Sequence, residues 1–121
     1  MLRNKFRKER YEYNGEVYCS LDEVLFAKQL DRRIAQGDVK DWERQVKYEV
    51  EVNGQFVTNI HIDFRVVTSD DKVQLIEVRK KVKYDSPEWR KRRRLIQAVL
   101  DNIEPGAEFI EVRKSYKPVG A

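Results

Sequence analysis

Apolar residues recur along the chain first with a helical period and then with a strand period. Val24, Ala27, Leu30 and Ile34 fall three and four apart, which places them on one helix face and predicts a helix over about 21–36. Ser20-Leu21-Asp22-Glu23 ahead of it has the form of a capping box, with Ser20 at the N-cap and Glu23 three positions on, and Gly37 supplies the usual stop. Over 46–52 the period shortens to two. Asn53-Gly54 follows, the dipeptide a two-residue hairpin turn selects because both central residues need positive φ. The return strand is expected over about 55–67, with Ile60, Ile62, Phe64 and Val66 on one face and His61, Asp63 and Arg65 on the other. A polar turn at 68–71 leads to a third strand over 73–82. Ser86-Pro87-Glu88 then opens a second helix whose buried stripe is Trp89, Ile96, Val99 or Leu100, and Ile103. Pro105-Gly106 breaks it, and 107–113 reads as a last short strand. The predicted order is α-β-β-β-α-β, a single α/β (α+β) domain with a mixed sheet flanked by helices. A basic N-terminal arm over about 1–12 and a short tail over about 115–121 complete the chain.

Charge changes this picture more than size does. A length of 121 residues suits one domain, and 25 Lys and Arg against 21 Asp and Glu leave a net charge of only +4. The balance is uneven, however. Nine basic residues (Arg79, Lys80, Lys81, Lys83, Arg90, Lys91, Arg92, Arg93 and Arg94) face only Asp85 and Glu88 in 79–94, while the rest of the chain holds 16 basic and 19 acidic residues. With Arg3, Lys5, Arg7, Lys8 and Arg10 in the arm, so concentrated a patch is the electrostatic footprint of a polyanion partner. The plainer reading is a solvated helix face. No run of 18 apolar residues is present to span a membrane, and no apolar run follows Met1 as in a secretory leader, so a cytoplasmic protein is expected. Cys19 is the only cysteine and His61 the only histidine, which excludes an internal disulfide framework and any Cys- or His-rich metal centre. Cys19 and both tryptophans, Trp42 and Trp89, read as packing residues.

Three acids are candidates for chemistry. Asp63 sits between Ile62 and Phe64 in one strand, and Glu77 sits in the next, on the same face as Arg79 two residues on. If those strands pair, the two carboxylates meet at one sheet edge and repel unless a cation lies between them. Hard oxygen ligands of that kind suit Mg2+ or Mn2+. Glu23, one turn into the first helix, is a third candidate, although the capping box alone also explains it. Glu77 with Arg79 is equally open to reading as an ordinary same-face salt bridge. His61 reads as a surface group or a support behind the ligands, rather than a ligand itself.

The chain resembles the PD-(D/E)XK nuclease superfamily, and more narrowly the small phage endonuclease-I-like nucleases, a group that includes Holliday-junction resolvases. The resemblance runs from about Lys5 to Arg113. Tyr13-Asn14-Gly15-Glu16-Val17-Tyr18-Cys19-Ser20 with Glu23 carries it first, then Gly37-Asp38-Val39-Lys40-Asp41-Trp42-Glu43-Arg44-Gln45. Asn59-Ile60-His61-Ile62-Asp63-Phe64, Ile76-Glu77-Val78-Arg79 and the basic helix 89–100 complete it. The resemblance implies a restriction-endonuclease-like core in which Glu23, Asp63 and Glu77 hold Mg2+ or Mn2+ for hydrolysis of a DNA phosphodiester. It also implies that Arg79 stands where the family has its lysine, and that Gln45 approaches the site. Lys80 and His61 are further candidates for supporting the ligands, and Lys81, Lys83, Arg90, Lys91 and Arg94 are the expected DNA contacts. Lys81, two residues beyond Arg79, is expected to return to its face and to be able to replace the missing lysine. Because arginine stays protonated, it cannot act as a general base, although it can offset phosphate charge. Two functions follow: a metal-dependent DNA endonuclease of phage or prophage type, acting in a bacterial or phage-infected cell on linear or branched DNA, or a catalytically impaired nucleic-acid-binding module with the same fold. Junction-resolving relatives work as dimers, which leaves a homodimer open here, and a basic helix docked on an acidic protein is a third class.

Overall fold

The computed structural model describes residues 10–114. Most of the N-terminal arm and the tail beyond 114 lie outside the described residues, and Arg10 is exposed. The first elements are short: β1 (Tyr11–Tyr13) and β2 (Glu16–Tyr18) form an antiparallel hairpin around Asn14-Gly15, both at positive φ (51° and 78°). Thus the arm expected to reach residue 12 gives way to a strand at Tyr11. Asp31 fastens this hairpin to the body, accepting hydrogen bonds from the Tyr13 hydroxyl at 2.5 Å, Asn14 Nδ2 at 3.3 Å and Trp42 Nε1 at 2.8 Å.

The helix α1 (Leu21–Ala35) starts where Ser20 Oγ accepts from the Glu23 amide at 3.4 Å. It ends in a Schellman pattern, with Gly37 N donating to Ile34 O at 3.0 Å and Asp38 N to Arg33 O at 2.9 Å, which requires the positive φ of Gly37 (83°). Val24, Phe26, Ala27 and Leu30 are buried, whereas Ile34, expected in the stripe, is exposed.

A long hairpin follows, β3 (Val39–Val52) and β4 (Gln55–Thr68), turning at Asn53-Gly54. β3 begins seven residues before the expected 46, because 39–44 pair with 64–68. β5 (Val73–Lys80) adds antiparallel to β4 and stops two residues short of the expected end. α2 (Pro87–Ile103), capped by Ser86 Oγ accepting from Trp89 N at 3.2 Å, then carries the chain over to β6 (Glu108–Lys114), which lies parallel to β5. The domain is therefore α+β, with a mixed four-stranded sheet ordered β3-β4-β5-β6 and two helices. Among the described residues no helix is long and apolar enough to cross a membrane.

The core is in two parts. α1 packs over Val39, Phe64, Val66 and Ile76, while Ile96 of α2 packs with Val50, Ile60, Ile62 and Leu75. Ile62 and Phe64, expected to share a face with the same neighbours, thus bury under different helices. The cause lies between them. Arg44 pairs with Phe64 and Val46 with Ile62, while the intervening Gln45 adopts a left-handed φ of 52°, unusual for a residue with a Cβ. On either side of Gln45 the buried residues belong to different clusters, so one half of the hairpin serves α1 and the other α2.

Candidate active site

The turn in the hairpin, the N-terminus of α1, the end of β5 and the first turns of α2 enclose an open cleft of about 530 Å3. Ser20, Glu23, Gln45, His61, Asp63, Glu77, Val78, Arg79, Trp89 and Arg92 line it. Capping places Glu23, strand alternation places Glu77 and Arg79 together, and the distortion opposite Gln45 places Asp63. The β4–β5 ladder ends at the Phe64–Ile76 pair, and just beyond it Asp63 Oδ2 takes the Val78 amide at 2.9 Å. The Asp63 side chain is thereby pinned at the centre of the cleft.

Three carboxylates gather there. Glu77 is 3% exposed, and burial, reinforced by a hydrogen bond and the charge of Asp63, raises its pKa to about 8, against the opposing pull of Arg92. Burial, followed by the charge of Asp63 and a hydrogen bond with it, raises Glu23 to about 7. Burial first, and the same third acid after it, thus destabilise two acids in different elements as anions, the electrostatic condition that a bound cation relieves. All three supply hard oxygen donors of the type Mg2+ and Mn2+ take. Among the described residues no group of three or more His, Cys, Asp and Glu side chains stands already arranged to hold a metal ion. Arg92 reaches into the same cleft and donates to the Glu77 carboxylate and to the His61 carbonyl.

Several expected roles change. The same-face salt bridge between Glu77 and Arg79 gives way to the Glu77–Arg92 pair, because Arg79 lies flat over the Trp89 ring, its guanidinium carbon 3.7 Å from the centroid. The Arg79 Nε is buried without a hydrogen-bond partner. Lys80 is exposed, Lys81 and Lys83 lie beyond the strand, and none of them lines the cleft, so strand alternation no longer places Lys81 beside Arg79. Gln45 and His61 do border it. Cys19, expected to pack, is exposed.

Arg92 was absent from the expected site, yet its spacing was informative. Trp89, Arg92, Ile96 and Ile103 follow one helical face, which turns Arg92 inward despite its place in a basic run. Arg93 also turns inward and donates to Asp85 (2.6 Å) and Glu111 (2.5 Å). Arg90, Lys91 and Arg94 remain exposed, leaving a smaller cationic face. No protein-family model matches the chain, and no curated protein is similar to it in sequence.

The α2 start is latched to β6. Asp85 accepts from Arg113 at 2.8 and 3.0 Å as well as from Arg93, and Trp89 Nε1 donates to Glu111 at 2.7 Å. Hydrogen bonds from Arg113 and then Arg93 hold Asp85 well below the usual carboxylate range. A depressed carboxylate contributes stability that is complete above its unfolded value and lost as pH falls through its folded one. Thermal melting followed from pH 5 downward should therefore decline below about pH 4 in the wild type. Asp85→Asn should melt lower at pH 5 and show a shallower acid decline; identical curves for the two proteins would remove the latch as a stabilising contact.

Proposed function

We propose that the protein is a divalent-cation-dependent DNA endonuclease of phage or prophage type, with a restriction-endonuclease-like core. The observation that carries this reading is the meeting of Glu23, Asp63 and Glu77, from three separate elements, in one cleft beside two arginines and an exposed basic helix face. Asp63 and Glu77, with Glu23, would hold Mg2+ or Mn2+. That cation supplies Lewis-acid stabilisation of phosphate charge and activation of a water. Arg79 and Arg92 supply fixed positive charge at the cleft wall, where developing phosphate charge is best met by preorganised donors. Neither can take a proton from the attacking water. Arg90, Lys91 and Arg94, with Lys81 and Lys83 in the preceding loop, grip the phosphate backbone without reading sequence. A homodimer with two such clefts would suit a branched substrate.

Cleavage assays on linear duplex, single-stranded and four-way-junction DNA, with Mg2+, Mn2+ or chelator, test the reading. Cation-dependent nicking supports it. A protein that binds these DNAs but cuts none with either metal is instead a binding module. The Glu77–Arg92 pair favours that second reading, since it occupies a carboxylate the cation needs.

The basic face has its own test. Reversing Arg90, Lys91 and Arg94 to Glu should weaken duplex binding and flatten its log–log salt dependence by ~0.9 for each phosphate no longer neutralised. An unchanged slope would assign the patch to solvent or to a protein partner.

A further inference from the structure

Among the described residues only two aromatic side chains are exposed, Phe56 at 60% and Tyr84 at 80%. Their surroundings differ. Phe56 stands opposite Glu51 at the tip of the long hairpin, an acidic setting that repels a polyanion. Tyr84 sits in the β5–α2 loop with exposed Lys81, Val82 and Lys83, and the Lys83 ammonium lies 5.5 Å from its ring centroid. The loop is held at both ends. Arg79, five positions before Tyr84, is seated on Trp89 in the cleft, and the next residue, Asp85, is clamped by Arg93 and Arg113. A tyrosine presented this way keeps a large apolar face in water beside exposed lysines, in a loop that follows cleft-lining Arg79 and precedes cleft-lining Trp89.

We propose that Tyr84 is a stacking platform for an unpaired nucleobase, so that the substrate class is DNA with unpaired bases rather than continuous duplex. A duplex buries its base faces in its own stack and offers only phosphates to this loop. An unpaired base offers a π-face to Tyr84 while Lys81 and Lys83 meet the adjoining phosphates. The inference rests on the nuclease reading only in taking DNA as the ligand, and it requires no cleavage.

The test measures binding of the full chain, in chelator so that nothing is cut, to a continuous duplex and to the same duplex with an unpaired stretch. Tyr84→Ala should weaken binding to the unpaired substrate about tenfold, with duplex affinity and the salt slope nearly unchanged, and Tyr84→Phe should keep wild-type affinity. Equal losses on both DNAs, or no loss on either, overturn the inference while leaving the endonuclease reading intact. A Tyr84→Ala effect confined to unpaired DNA, in a protein that cuts nothing with Mg2+ or Mn2+, supports the platform and sinks the endonuclease. No binding of any DNA by the wild type overturns both.

Discussion

Asp63→Asn is expected to abolish Mn2+ binding and DNA cleavage while leaving the fold intact or firmer. The substitution keeps the side chain's shape, and its remaining carbonyl oxygen can still accept from the Val78 amide that fixes Asp63 in the cleft. What it removes is the charge that helps raise both Glu77 and Glu23. Two glutamates repelled by the same aspartate lose that repulsion, so thermal melting should hold or rise even as the cation loses its central ligand. Altering groups that merely orient metal ligands costs about 10–100-fold, so loss of a ligand should cost more than ~10²-fold in activity. Calorimetry with Mn2+ and a nicking assay on the same preparations decide it. Undiminished binding in the variant, or none in the wild type, would dismiss the cleft as a cation site.

The second large effect concerns the two arginines. Arg79→Ala should lower cleavage ~10²–10³-fold, the usual loss for one preorganised electrostatic donor, while Arg79→Lys should preserve or raise it. Arg92→Ala should show a split. Cleavage falls because a cleft-wall charge is gone, yet Mn2+ affinity rises because nothing then competes for the Glu77 carboxylate. Lys81→Ala is the comparison: Lys81 lies beyond β5 and outside the cleft, so its loss should weaken DNA binding while sparing cleavage of bound DNA. Should Lys81→Ala abolish cleavage and Arg79→Ala spare it, the positive charge acts from the loop. A fall in both cleavage and Mn2+ affinity for Arg92→Ala would make that arginine a scaffold of the carboxylates rather than their competitor.

Elements with strong local signals were legible in the sequence. The α1 cap at Ser20, the stop at Gly37 and the Asn53-Gly54 turn all stand within a residue of their expected places, because each depends on the backbone chemistry of a few adjacent residues. The first half of β3 was not legible. Lys40-Asp41-Trp42-Glu43-Arg44 offers a single large apolar residue, and only pairing with β4 makes it a strand. The β1–β2 hairpin carries an Asn14-Gly15 signal, but three-residue strands are too short to show a period. At the site, the strand order foretold that Asp63 and Glu77 would be neighbours. The turn at Gln45 that sends Ile62 and Phe64 under different helices has no residue code, since glutamine carries no preference for positive φ. Arg92 was hidden by its company: in a run of five basic residues, charge masked the helical spacing that turns it inward.

The parallel placement of β6 also sets the order in which the cleft can be assembled. β3 and β4 close through a two-residue turn, a local event with little loop entropy, and they carry Gln45, His61 and Asp63 with them. β6 can reach β5 only after the chain has travelled the length of α2, and Glu111 and Arg113 on it anchor the end of α2 that brings Arg92 to Glu77. Glu77 is therefore expected to gain its partner late in folding, after Asp63 is in place. A chain shortened before Glu108 would keep the residues of the hairpin and its aspartate but lose the latch that aligns α2, leaving Glu77 without Arg92.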